Sequence, residues 1–264
     1  MKTRVLSALA GLCVLLPAIW LGGYVFACLI FLLGIIGLFE LARMRKIQYF
    51  NMIGLVATWA IGVIIVPEPY RIWTIPGFNT TYLFYVACMV LMILTVYEYK
   101  TFNIEDAALL IFGALYIGYG FRYLIMLRDM GLDLIVFQFS VIWATDTGAY
   151  LVGRRFGKHK LAPAISPNKT VEGALGGILC AILVSTVYYH FADPHLGGTE
   201  HYIILTICLS ALGQLGDLVE SAFKRHFGVK DSGNLLPGHG GVLDRFDSTL
   251  FTSFLLMAWF NMMH

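Results

Sequence analysis

The sequence predicts an all-α polytopic integral membrane protein of about nine transmembrane helices, and three observations carry that reading. Of 264 residues, 59% are hydrophobic and 13% charged, with mean hydropathy +0.77; soluble domains carry roughly 25% charged residues. Apolar runs of spanning length recur along the whole chain, a spanning helix needing about 20 such residues. The basic residues are also sorted to one side of those runs. No polar stretch is long enough for a separate soluble domain, so residues 1–264 are expected to form a single transmembrane domain.

The runs are 5–21, 23–40, 51–66, 80–97, 106–127, 132–152, 171–190, 201–222 and 248–263. The stretch 5–40 is too long for one span, and Gly22-Gly23 in its middle reads as a tight hairpin turn. The run 51–66 is short for a span. Lys2 and Arg4 ahead of an apolar run have the look of a signal peptide, but no small-x-small cleavage site leads into a soluble chain. The first run is therefore read as a retained span. Cys13, Cys28, Cys88, Cys180 and Cys208 all fall inside apolar runs without a CxxC pair, which points to packing rather than metal or disulfide chemistry.

With the N-terminus cytoplasmic, the tail and segments 41–50, 98–105, 153–170 and 223–247 face the cytoplasm and hold fifteen of the 18 lysines and arginines. Arg71, Arg122 and Arg128 are left for the other side, where the C-terminus also falls. The positive-inside bias favours this orientation in the cell's cytoplasmic (inner) membrane. Residues 1–100 read as structural, lipid-facing helices, open to subunit contact such as a homodimer. Residues 140–250 carry almost all the chemistry.

Ionisable groups within spans are costly and mark function by default. Asp217, Glu220, Ser221 and Lys224 stand at i, i+3, i+4 and i+7, on one helix face. Asp244 and Asp247 are three apart where the ninth span begins, and Asp146 lies in the sixth. Carboxylates from three helices near one membrane face suit a divalent cation such as Mg²⁺, which prefers hard oxygen ligands and retains waters and phosphates. Salt bridges with Arg225, Lys230 or Arg245, or helix capping, would use the same acids equally well. Glu40 and Glu98 read as interfacial helix ends.

Two polar blocks flank these acids. In 153–170, Gly153-Arg-Arg-Phe-Gly-Lys-His-Lys160 is not a P-loop, because three residues separate its glycines and His159 follows Lys158. Ser166, Lys169 and Thr170 precede the seventh span, where free helix amides attract phosphate; a basic anchor for anionic headgroups would carry the same charge. In 221–247, His239-Gly240-Gly241 removes side chains where backbone could approach a phosphate, although a plain turn would look alike.

The second block resembles the phosphatidate cytidylyltransferases (CDP-diacylglycerol synthases). Their pattern appears as Ser221, Phe223-Lys224-Arg225, Lys230-Asp231, Pro237, His239-Gly240-Gly241, Asp244-Arg245 and Asp247. Asp146-Thr-Gly-Ala-Tyr150, Gly153-Arg154, Ser166-Pro167, Lys169-Thr170 and Glu172-Gly173 are similar too. The resemblance is sharp over 140–250 and implies an Mg²⁺-dependent nucleotidyltransferase, with a second cation open. CTP and phosphatidic acid would give CDP-diacylglycerol and pyrophosphate, with lipid rather than nucleic acid as the setting.

It favours Asp217 and Asp244 as metal ligands, and Asp247 and Asp146 are expected as further ligands or as support around them. Lys224, Arg225, Lys230 and Arg245 would neutralise phosphate charge, aided by Ser166, Lys169 and Thr170. Ser221, His239, Gly240 and Gly241 would line the substrate, and Asp231 would orient Lys230 or serve the metal. Asp217 and Asp244 are thus expected to share one ion cluster. A CTP-dependent lipid kinase and an ion-coupled transporter are the competing readings.

Overall fold

The computed structural model describes residues 2–71, 77–192, 196, 198–234 and 240–263, so Pro237 and His239 lie outside the described residues. Among the described residues there are nine α-helices: α1 (Lys2–Leu21), α2 (Gly23–Met44), α3 (Met52–Ile65), α4 (Thr80–Tyr97), α5 (Ile104–Met130), α6 (Leu132–Phe156), α7 (Val171–Ala192), α8 (Thr199–His226) and α9 (Leu243–Met263). Each falls on one apolar run. Six of them, α2 and α4 to α8, are long and apolar enough to cross a membrane, so the fold is that of a multi-pass, essentially all-α protein.

The expected hairpin between α1 and α2 is present: Gly22 and Gly23 have φ of 63° and 52°, a left-handed conformation open to glycine at little cost. Two features depart from the runs. The polar block 153–170 contains a β-hairpin, β1 (Lys160–Ala162) paired antiparallel with β2 (Ser166–Thr170). The polar block 221–247 is helical at both ends, since α8 continues through His226 and α9 starts at Leu243.

The chain forms two compact units, Met1–Met126 with Phe227–Arg245 and Leu127–His226 with Phe246–His264. In the first, α3 has 14 residues and rises about 21 Å, short of a hydrocarbon core of about 30 Å. Most of it is buried, from Ile53 to Ile65, rather than facing lipid. Its last carbonyls find arginines: Arg71 donates to Val63 O at 3.1 Å and Val66 O at 3.2 Å, and Arg122 to Ile64 O at 3.1 Å. Cations at a helix C-terminus satisfy orphan carbonyls and complement the dipole. At the start of α5, Asn103 and Asp106 exchange backbone-to-side-chain bonds at 3.0 and 3.1 Å, and Arg45 at the end of α2 pairs with Asp106 and Glu105 at 2.8 Å each.

In the second unit, small residues let α6 and α7 approach closely, as membrane helices commonly do. A Cβ on Gly176 would stand 2.5 Å from Val152, and one on Gly173 would stand 2.8 Å from Ala149 O. Interhelical hydroxyls and one amide tie in the other helices. Gln138 Nε2 on α6 donates to Thr252 Oγ1 and Ser253 Oγ on α9, each at 2.9 Å. Thr145 bonds Ser210 at 2.8 Å, and Ser248 Oγ donates to Gly213 O at 2.9 Å.

Candidate active site

A cleft of about 540 Å³ opens in the second unit. Asp146, Tyr150 and Arg154 of α6 line one wall, Gly173 and Ala174 of α7 another, and Gln214 and Asp217 of α8 a third, with Lys169 and Thr170 of the hairpin alongside. Asp217 is half-buried and both its oxygens are engaged: Lys169 Nζ lies 2.6 Å from Oδ2, and Ser221 Oγ donates to Oδ1 at 3.3 Å. The i, i+4 relation read from the sequence thus places Ser221 against Asp217. It also pairs Lys224 with buried Glu220. The carboxylates of Asp217 and Asp146 and the ammonium of Lys224 all act electrostatically on Asp247 of α9. Asp146, Asp217 and Lys169 thus line one cleft, and Asp247 lies within electrostatic range of both acids and of Lys224.

Among the described residues, no three Asp, Glu, His or Cys groups are close enough to form a ready metal-ligand set. The carboxylates of Asp146 and Asp217 are oxygen donors of the class a hard cation takes. Like-charged carboxylates at one place repel each other unless a cation stands among them, and Lys169 supplies that positive charge to Asp217 here.

The hairpin's placement has local causes. Thr170 Oγ1 accepts Gly173 N–H at 3.1 Å, capping α7. Glu172 takes the amides of Lys158 and His159 at 3.0 and 3.2 Å and the His159 ring at 2.6 Å. Amides around the start of α7 are therefore engaged by the chain's own side chains. Arg225 Nε donates to Ile165 O at 3.1 Å, holding the hairpin turn to the end of α8. Ser166 is half-buried in β2.

The first unit holds the described residues of the signature from Lys230 to Arg245. Asp244 Oδ2 accepts Ser232 N and Gly241 N, each at 2.8 Å, and lies 2.8 Å from Ser232 Oγ. Glu40 of α2 is 2% exposed and accepts Val242 N–H at 2.9 Å and Leu243 N–H at 3.0 Å. It is therefore not an interfacial helix end, whereas Glu98 does follow the last turn of α4. The glycine pair has a visible use. Gly240 has φ 83°, a Cβ there would strike the Asp244 carboxylate, and one on Gly241 would strike that of Glu40. Lys230, Asp231 and Arg245 are exposed.

Sequence reading missed Glu40 and Gln214. A lone acid closing a run as apolar as 23–40 was the available signal for the first; nothing local distinguishes the second.

Comparison with known proteins identifies the family. The profile of the cytidylyltransferase family matches residues 2–263. The chain is 46% identical over 256 residues to a phosphatidate cytidylyltransferase of Staphylococcus epidermidis, covering 97% of each chain. It is 44% identical over 260 residues to that of Staphylococcus aureus, again covering 97% of each, and 41% identical over 270 residues to that of Bacillus subtilis, covering 99% of each. The chain belongs to the phosphatidate cytidylyltransferase family.

Proposed function

We propose that this protein transfers CMP from CTP to phosphatidic acid, giving CDP-diacylglycerol and pyrophosphate for phospholipid synthesis. The observation that carries the reading beyond family membership is the Lys169–Asp217 pair in a cleft of about 540 Å³, with Asp146 and Arg154 on its wall. Such a site offers both charges that a metal-bound nucleotide needs.

A phosphatidate oxygen attacks the α-phosphorus of CTP. The new P–O bond forms as the bond from that phosphorus to the α,β-bridging oxygen breaks, and pyrophosphate leaves with the electron pair. Phosphate monoesters lose their second proton near about pH 6, so the attacking oxygen needs no base from the protein. Positioning and charge neutralisation supply the rate. Lys169 exchanges Asp217 for the triphosphate, and Arg154 holds phosphate from α6. Lys224 moderates the charge around Asp247, and Arg225 keeps the hairpin in place.

Bound Mg²⁺ would neutralise phosphate oxygens and polarise the reacting phosphorus. Asp217, with Asp146 and Asp247 beside it, would hold it; Asp244 carries that role by resemblance alone. Lys230, Arg245 and His239 belong to the phosphate-binding set on the same footing. The reading also includes a catalytic core over 140–250 and a cleft open to the cytoplasm, where the positive-inside bias puts both basic loops.

The test supplies purified protein with labelled CTP, phosphatidic acid and Mg²⁺. Liponucleotide and pyrophosphate are expected, and EDTA should abolish both. Release of CDP with a phosphorylated lipid would identify a kinase instead. Uptake into sealed vesicles without CTP consumption would identify a transporter.

A further inference from the structure

Glu40 is a buried carboxylate that the proposed chemistry does not use. Glu40 lies on α2, in a segment otherwise apolar, where an ionisable side chain is retained only for a reason. Its oxygens accept the amides of Val242 and Leu243, at the start of α9. The first amides of a helix have no acceptor within it, and negative charge is favoured there. Glu40 thus caps α9 from a helix some 200 positions earlier in sequence, the separation to Leu243 being 203.

The contact continues to Asp244. Ser232 Oγ lies 3.1 Å from Glu40 Oε2 and 2.8 Å from Asp244 Oδ2, so its one hydroxyl proton can be donated to either carboxylate. Asp244 N completes the ring by approaching Ser232 Oγ at 3.4 Å. Three glycines clear the space: a Cβ on Gly233 or Gly241 would overlap Glu40, and one on Gly240 would overlap Asp244. A loop that only had to turn would not need all three.

We propose that Glu40 is a positioning residue for the transfer reaction, clamping the 241–243 turn and, through Ser232, fixing the orientation of the Asp244 carboxylate. The inference rests on the cytidylyl-transfer reading and on a catalytic role for Asp244. Glutamine at position 40 would keep the shape but present a donor to one of the two amides. Ser232→Ala leaves both amide bonds to Glu40, and both amide bonds to Asp244, in place.

The experiment compares Glu40→Gln, Ser232→Ala and the double variant in the full-length protein in lipid nanodiscs. Each single change should lower kcat about 10- to 100-fold, the usual effect of losing a partner that orients a metal-binding carboxylate. KM for CTP should stay within about threefold, and the double variant should lose less than the product of the singles, because both act through Asp244. Independently of activity, amide hydrogen exchange over 241–245 should accelerate in Glu40→Gln.

Faster exchange with unchanged kcat would make Glu40 a structural cap and overturn the proposal. So would unchanged exchange, a loss confined to KM, or losses that simply multiply. Should the unaltered protein form no liponucleotide, the functional reading fails first, and the exchange measurement still reports whether the clamp exists.

Discussion

Lys169 is the side chain on which a catalytic and a structural role can be separated most cleanly. Its ammonium lies 2.6 Å from Asp217 Oδ2, with the two side chains 26% and 35% exposed. At that separation the pair is worth about 1.6 kcal/mol in a water-like dielectric and about 6 kcal/mol at an effective dielectric of about 20. Solvent screening at these exposed side chains and the entropy of holding a long side chain reduce the net contribution to about 1 kcal/mol or less. Lys169→Gln should therefore cost the fold little, lowering the thermal midpoint by about 4 °C at most. In the transition state the same charge meets oxygens of the departing pyrophosphate, and losing one preorganised donor costs about 2.7–4 kcal/mol, or about 100- to 1,000-fold in kcat. Radiolabelled CTP turnover and a detergent thermal-shift assay on one preparation measure the two quantities together. Turnover within threefold of the unaltered protein, or a collapse of stability that accounts for the whole loss, would refute the reasoning.

Three further changes probe the scaffold. Gly241→Ala should cost about 1–3 kcal/mol through overpacking, because its Cβ meets the Glu40 carboxylate; a variant of unaltered thermal midpoint would mean that the turn yields freely. Gln138→Leu removes bonds to Thr252 and Ser253. At about 0.6 kcal/mol for a typical interhelical bond in a membrane, it should lower the midpoint by a few degrees and leave turnover per folded molecule intact, as turnover corrected for folded fraction would show. Arg71→Met deprives the end of α3 of donors to Val63 O and Val66 O and removes the bond to Thr80 at 2.6 Å. Unsatisfied buried groups cost about 1–3 kcal/mol each, so the yield of folded protein after extraction should fall more than for Arg122→Met, which loses a bond to Ile64 O.

Much of the fold was legible because spanning length is a local property. Each run of about 20 apolar residues specifies a helix without reference to the rest of the chain, and all nine runs coincide with helices among the described residues. Gly22-Gly23 was legible for the same reason, since a left-handed turn needs residues lacking a Cβ. The boundaries were less so. Phe223 to His226 continue α8 past the run that ends at 222, where Arg225 bonds the hairpin turn. The hairpin itself went unread because Ser166-Pro-Asn-Lys-Thr170 has no strand-like alternation of apolar and polar residues, and its pairing with 160–162 depends on anchorage by Glu172 and Arg225.

The sequence by itself determined a multi-pass helical protein whose chemistry lies in two polar blocks, and its motif spacing pointed to the family. Tertiary structure alone decided how those residues are used. It set Lys169 on Asp217, placed Asp146 in the same cleft, spent Thr170 on capping α7, and turned Glu40 from an apparent helix end into the cap of α9. The physical reason is range: hydrophobic length and turn chemistry act between neighbours in sequence, whereas a buried carboxylate finds its amides only after distant helices have packed.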